Sequence, residues 1–131
     1  MKMIIMIILL TAAVAAHALL TKVTMNFEQK PTAGMSSWYG TFHQGRRTAS
    51  GERFNRDSYT CASRTYRLGT KLLVRFPTKG TFVVVTVTDH GPYRHPDRVL
   101  DLSERAAKIL GLRPYGIGFV EITPLHILGG M

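Results

Sequence analysis

Cysteine is nearly absent from the chain: Cys61 is the single one among 131 residues. One cysteine cannot close an internal disulfide, so a disulfide scaffold is excluded and the chain must fold by packing alone. Cys61 is therefore predicted to be a small, buried apolar residue. The length suits one compact domain and leaves no room for a second.

Long apolar runs are also missing. The longest, Met3–Leu10 within "MKMIIMIILLTAAVAAHA", is shorter than the roughly 20 residues of a membrane-spanning helix. It follows Lys2 and precedes small residues up to Ala18, a pattern typical of a secretory signal peptide. A retained membrane anchor is the competing interpretation. We expect residues 1–18 to be removed, leaving a mature chain without a membrane span that is exported to the periplasm or cell envelope, or secreted.

Acidic residues are scarce, with 8 Asp and Glu against 17 Lys and Arg, which gives a formal net charge of +9. Such a surface favours anionic partners. The sequence has no aromatic platform for single strands and no basic recognition helix, so nucleic acid is not an expected partner. A cell-wall polymer with carboxylates and phosphates is the predicted partner, although the charge alone equally fits a basic surface with no partner. The oligomeric state is left open.

The remaining residues divide into a lead-in, a folded part and a tail. Residues 19–35 are polar without a hydrophobic period and are predicted to be flexible. From Ser36 onward, short β-rich segments alternate with glycine-rich loops, and one helix is predicted between a Ser103 cap and a Gly111 stop. The pattern predicts a mainly β, single-domain barrel over residues 36–124, followed by a tail at 125–131.

Two carboxylates lie in contexts that suit chemistry. Glu52 lies in the loop "TASGERFN", and Asp89 ends the predicted strand in "VVVTVTDHGPY". A carboxylate beside glycines or at a strand end can have its pKa raised by burial, which would make it a general acid near neutral pH. The alternatives are that Asp89 only caps its own turn and that Glu52 is a solvated loop charge.

The order of the motifs carries a resemblance. "SWYG", "GRRTASGERFN", "RLGTKLLV", "VVVTVTDHGPY", "RVLDLSERAAKILG" and "GFVEI" follow one another as in the rare lipoprotein A family of septal lytic transglycosylases. The similarity runs from Ser36 to about Pro124. It implies a six-stranded double-psi β-barrel with one short helix, a fold shared with the expansins.

The resemblance also implies an activity and its residues. Members cleave the bond between N-acetylmuramic acid and N-acetylglucosamine in peptidoglycan glycan strands and leave 1,6-anhydro ends. The catalytic aspartate of the family falls on Asp89, the expected acid and base. Its loop glutamate falls on Glu52, expected to stabilise the positive sugar or to orient the acid. Tyr39 and Tyr93 flank the site motifs and, with Arg47, are expected to contact the polymer.

One position departs from the family pattern. Where active members commonly carry a histidine in "TAAH", this chain reads "TCAS", with Ser63 in that place. A hydroxyl donates a hydrogen bond but does not exchange a proton near neutral pH. Ser63, His90 and His43 are therefore candidate supporting residues rather than assigned ones. A solvated surface imidazole is the alternative for both histidines.

No metal and no cofactor are predicted. Asp89, His90, His95 and Asp97 fall close together in "DHGPYRHPD", but two prolines interrupt the segment, and zinc ligands usually come in close pairs from defined turns or one helix face. The alternative to an enzyme is a non-catalytic, expansin-like module that binds or loosens the wall through the same groove.

Overall fold

The computed structural model describes residues 23–24, 32–40 and 43–127, so the predicted signal peptide lies outside the described residues. These contain seven strands, one α-helix and a 3-10 turn at Arg113–Tyr115. The strands are β1 (Val23–Thr24), β2 (Thr32–Tyr39), β3 (Thr60–Ala62), β4 (Lys71–Phe76), β5 (Thr81–Asp89), β6 (Arg98–Ser103) and β7 (Ile117–Ile127), and the helix is α1 (Glu104–Leu110).

Six of the strands close into a barrel. Their order is β7, β2, β6, β3, β5 and β4, and β4 pairs with β7 to complete the ring, while β1 extends β7 outside it. Two of the pairings are parallel, β2 with β6 and β3 with β5. The prediction of a mainly β, six-stranded double-psi barrel with one short helix is confirmed.

The barrel interior follows from strand alternation, since successive side chains point to opposite faces. Apolar side chains recur at every second position of β4, β5 and β6 and are fully or almost fully buried. They include Leu72, Val74, Phe76, Val83, Val85, Val87, Leu100 and Leu102. Burying each such side chain stabilises the fold by roughly 1.5–3 kcal/mol. Cys61 is buried and free of any disulfide, as predicted.

Helix α1 begins and ends where the sequence predicts. Ser103 is extended and its side chain accepts a hydrogen bond from the Ala106 amide, and Gly111 adopts a φ of 76° at the C-terminal cap. A residue with a side chain is strained at that φ, which explains the glycine. Ala106, Ala107 and Leu110 pack the helix against the barrel.

Two strand boundaries and one short strand differ from the prediction. Strand β2 begins at Thr32, inside the predicted lead-in, because residues 32–37 pair with β7. Strand β7 continues to Ile127, past the predicted barrel end at 124, where its last residues pair with β1 and β4. Strand β3 is absent from the prediction, since three residues are too few to show a period. It is held by β5 and β6 on its two sides.

Among the described residues, no helix has the length and apolar character that crossing a membrane would need.

Candidate active site

An open groove lies on the barrel wall where β2 and β6 face the loops at residues 43–54 and 90–97. It consists of two adjoining cavities of about 560 and 520 Å³. Three side chains, His43, His95 and Asp101, line both cavities, so they mark where the two meet. The other charged residues along the groove are mostly cationic: Arg46, Arg94, Arg98 and Arg113, with Glu104 as the exception.

Asp101 points into this groove because of its place in β6. Leu100 and Leu102 on either side of it are fully buried in the core, so strand alternation directs Asp101 outward. The Ser37 Oγ donates a hydrogen bond to Asp101 Oδ1 at 3.1 Å. Burial raises the pKa of Asp101 to about 6, although the Ser37 hydrogen bond and the positive charge of Arg98 lower it. The carboxyl can therefore hold a proton in mildly acidic solution.

Asp101 and Asp89 belong to one row of residues across four strands. Ser37 on β2 pairs with Asp101 on β6, Asp101 pairs with Ala62 on β3, and Ala62 pairs with Asp89 on β5. We call Ser37, Asp101, Ala62 and Asp89 the cross-strand row. Two strand spacings separate the aspartates, which puts their Cα atoms about 10 Å apart. The β-strand pairing thus puts both carboxylates in one row, although Asp101 lines the two cavities of the groove and Asp89 lines neither.

Asp89 is held by backbone amides at the end of β5. Its Oδ1 accepts hydrogen bonds from the amides of Ala49 at 3.1 Å and His90 at 2.9 Å. Its carbonyl accepts from the Ser63 amide at 3.0 Å. The side chain therefore caps its own turn, and it also fastens the glycine-rich loop to the barrel. The predicted catalytic role of Asp89 stays a prediction.

Glu52 and Arg47 lie together in a small hairpin of that loop, and both are exposed. Thr48 donates to the Glu52 carbonyl through its amide and its Oγ, and the Arg47 guanidinium donates to the Gly51 carbonyl at 2.9 Å. Glu52 lines a separate cavity of about 40 Å³ beside Thr88, not the groove. The structure does not bring Glu52 next to Asp101.

The three candidate supporting residues have different surroundings. Ser63 is fully buried, and its Oγ accepts from the amides of Thr65 and Tyr66 at 3.1 and 3.0 Å, so its hydroxyl caps a turn. His90 is exposed. His43 lines the groove beside Asp101. His95 also lines the groove. The sequence suggests only a metal-binding role for His95, and the two prolines in its segment make that role unfavourable.

The two tyrosines expected to contact polymer also differ. Tyr93 is 71% exposed and lines the groove, so its ring is available to a sugar. Tyr39 lines the groove as well, but its ring packs on Phe54 and His43 at centroid distances of 4.5 and 5.2 Å. Burial, and then the negative charges of Asp101 and Asp89, raise the pKa of the Tyr39 hydroxyl above its usual value.

Sequence reasoning missed Asp101 as a site residue. The signal was present in "RVLDLS", where a carboxylate alternates with two leucines that the barrel must bury. The alignment of Asp101 with Asp89 cannot be derived from the sequence, because it depends on the pairing of β5 and β6 with β3. Within the described residues, no group of three His, Cys, Asp or Glu side chains is arranged to hold a metal ion.

Comparisons with known proteins agree with this fold. Residues 31–122 match the family model described as lytic transglycolase. The probable endolytic peptidoglycan transglycosylase RlpA of Synechocystis is 45% identical over 89 residues, which cover 68% of this chain and 27% of that protein. The corresponding protein of Aquifex aeolicus is 48% identical over 84 residues, 64% of this chain and 37% of that protein. The chain thus spans well under half the length of these relatives.

A solved structure is similar in fold and in part of its sequence. A mutant of the Clavibacter michiganensis expansin in complex with cellohexaose aligns with a TM-score of 0.60 and 25% identity. The alignment covers 78% of this chain and 54% of the expansin. The likeness agrees with the expansin-related barrel that the sequence predicts.

Proposed function

Because the chain belongs to the lytic transglycolase family, we propose that it is an endolytic peptidoglycan transglycosylase. It would cleave the bond between N-acetylmuramic acid and N-acetylglucosamine within glycan strands and leave 1,6-anhydro ends. The relatives that match it over most of its length carry the name endolytic peptidoglycan transglycosylase. Since this chain covers less than half of each, its own activity needs a direct test.

Asp101 carries the proposal. A general acid works best when its pKa lies near the working pH, and burial raises the pKa of Asp101 to about 6. The side chain lies where the two halves of the groove meet, so a glycan bound along the groove would pass over it. We therefore assign proton donation to Asp101 rather than to Asp89.

The reaction needs one proton donor that later accepts a proton. Asp101 protonates the glycosidic oxygen, and the bond from that oxygen to C1 of the muramic sugar breaks with oxocarbenium character. The Asp101 carboxylate then takes the proton of the sugar's own 6-hydroxyl. As O6 bonds to C1, the anhydro ring closes and Asp101 regains its proton, so no water is consumed.

Asp89 supplies the second carboxylate of the proposed site. Because it stands in the cross-strand row with Asp101, its negative charge would stabilise the positive sugar that forms after protonation. The backbone amides of Ala49 and His90 hold it in place. Glu52 and Arg47, on the exposed hairpin, would contact the strand farther from the reacting bond.

The groove suits an anionic glycan. Arg46, Arg94, Arg98 and Arg113 line it, and each muramic acid residue bears a lactyl carboxylate or, where a peptide is attached, the carboxylates of that peptide. The exposed ring of Tyr93 offers an apolar face for a pyranose. The predicted signal peptide would place the protein in the cell envelope or outside the cell, where peptidoglycan lies.

The proposal is tested by incubating the protein with purified glycan strands and searching the products for 1,6-anhydro ends by mass spectrometry. Wild type should form them and Asp101→Asn should not, with Asp97→Asn, an exposed loop change, as the matched control. If wild type releases only products with a hydrated reducing end, the chemistry is hydrolysis and the proposal is wrong.

A second candidate is a non-catalytic module that binds the wall. The likeness to an expansin and the turn-capping role of Ser63 favour it. It predicts co-sedimentation with peptidoglycan that persists in Asp101→Asn and weakens with salt, as surface charge is screened, together with no anhydro products from wild type.

A further inference from the structure

The Tyr39 hydroxyl is buried without a partner. Its oxygen is inaccessible to solvent and makes no hydrogen bond to any described residue. A buried hydroxyl normally finds a partner, because leaving it unpaired costs free energy. The ring cannot readily turn away, since it packs on Phe54 and His43. The hydroxyl is thus held in a position that the fold alone does not explain.

The position of Tyr39 relates it to the cross-strand row. Tyr39 follows Ser37 by two residues along β2, so both side chains lie on the same face of the strand. Ser37 donates to Asp101, and Tyr39 lines the groove beside Asp101. Among the titratable groups, Asp101 and then Asp89 act most strongly on the Tyr39 hydroxyl. The hydroxyl therefore lies near both aspartates.

We propose that Tyr39 is a positioning residue whose hydroxyl donates a hydrogen bond to Asp101 once Asp101 has released its proton. The inference rests on the proposed function. Protonation of the glycosidic oxygen leaves a second carboxylate near Asp89, in a partly buried place where charge is disfavoured. A neutral donor that reaches that carboxylate stabilises its charge. The bond is proposed to form when the Asp101 carboxyl is ionised, since a carboxylate is a stronger acceptor than a neutral carboxyl.

Other groups also influence the pKa of Asp101, and a variant that tests the Tyr39 hydroxyl must leave those groups unchanged. Ser37 donates to it from β2, and Arg98 lies on its own strand. The other ionisable groups line the groove, lie along the row or lie on the neighbouring strand β3: His43, His95, Arg46, Arg94, Arg113, Glu104, Tyr93, Asp89 and Cys61. Tyr39→Phe alters none of these and keeps the aromatic packing, so it isolates the hydroxyl.

The direct experiment follows the Asp101 carboxyl carbon by NMR through a pH titration of the full chain. In Tyr39→Phe its pKa should rise by about one unit, the size expected for losing one hydrogen bond to a charged group. Tyr115→Phe, an exposed tyrosine, is the control and should leave it unchanged. An unchanged Asp101 titration in Tyr39→Phe, or an equal shift in the control, overturns the inference.

Kinetics separate this role from a structural one. Tyr39→Phe should lower kcat roughly tenfold, leave KM within about twofold, and move the alkaline limb of the pH profile upward. Below about pH 5, where Asp101 keeps its proton, the unfolding temperature of the variant should stay equal or rise, because an unpaired buried hydroxyl is removed. A fall in kcat without a shift of the alkaline limb of the pH profile counts against the inference. A shifted Asp101 titration in a protein without lytic activity would support the hydrogen bond and count against the proposed function alone.

Discussion

The end of β5 and the middle of β6 each present an aspartate in the cross-strand row, by different means. Asp89 stands at a strand end, where free backbone amides hold its Oδ1. Asp101 stands between two buried leucines, where a side-chain hydroxyl holds it and burial raises its pKa. The strand end thus supplies a carboxylate bound by amides, and the strand middle supplies one that can keep a proton.

This difference is the basis of the proposed roles, because two carboxyl groups in different environments can divide acid and charge-stabilising work between them. It also explains why the sequence identifies the aspartate of "DHGPY" as a candidate site residue but not the aspartate of "RVLDLS". A turn marks the first motif, whereas the aspartate of "RVLDLS" has only strand residues around it.

The largest effect is expected from Asp101→Asn. Removing a general acid typically costs about 10²–10⁴-fold in rate, so formation of anhydro ends should fall by that factor, measured by mass spectrometry of digested glycan strands. Asp97→Asn should retain full activity. If Asp101→Asn loses less than Asp89→Asn does, the roles are reversed.

A smaller loss is expected at Asp89, and two variants separate its charge from its hydrogen bonds. Asp89→Asn keeps an acceptor oxygen and removes the charge, and should slow turnover about 10- to 100-fold. Asp89→Ala also frees the Ala49 amide, so hydrogen exchange there should speed up only in this variant. Equal exchange in both variants would show that Asp89 does not anchor the loop.

Stability should depend on pH through Asp101. Its folded pKa of about 6 exceeds the ordinary value of 3.8, so the folded state binds the proton more tightly and this group favours folding most in acid. That contribution falls as pH rises from about 4 to 6. Asp101→Asn should therefore be about 1–2 kcal/mol more stable than wild type at pH 7.5, by urea unfolding. If the difference in unfolding free energy between Asp101→Asn and wild type is the same at pH 4 and at pH 7.5, the raised pKa of Asp101 is contradicted.

Ser37→Ala should act on Asp101 more weakly. The hydrogen bond from Ser37 lowers the pKa of Asp101, so its loss should raise that pKa further and move the alkaline limb of activity to higher pH. We expect a shift of about half a unit to one unit, read from the pH profile of kcat. A shift to lower pH would mean that Ser37 does not support the ionised carboxyl.

The smallest effect is expected at Glu52, whose exposed side chain lies outside the groove. Glu52→Gln should change kcat by less than about fivefold and act mainly on KM, because it removes binding rather than proton transfer. Arg47→Gln is its neighbour control. A loss as large as that of Asp101→Asn would place Glu52 at the reacting bond after all.

Most of the fold can be predicted from the sequence. Alternation in "KLLVRF" and "FVVVTVT" marks β4 and β5, and Ser103 and Gly111 mark the ends of α1, because these signals are local. Strand β3 is different: its three residues form a strand only because β5 and β6 pair with them. Without β3, the register that links Asp89 to Asp101 cannot be derived.

The candidate site is predictable only in part for the same reason. A turn motif identifies Asp89, and a loop motif identifies Glu52, but burial and pairing decide which carboxyl faces the groove. Ser63 stands out in the sequence by its difference from the family histidine, whereas its surroundings give it a turn to cap. The sequence predicts that Tyr39 contacts sugar, which stays a prediction, but it does not show that the Tyr39 hydroxyl is buried.

The role of Asp101 is tested most directly by a crystal structure of the Asp101→Asn variant bound to a glycan oligosaccharide long enough to fill both halves of the groove. We expect the side chain at position 101 within about 3 Å of a glycosidic oxygen, with the Asp89 carboxylate near C1 of the muramic sugar. A strand that binds elsewhere on the barrel, or a glycosidic oxygen in contact with Glu52 instead, would contradict that role.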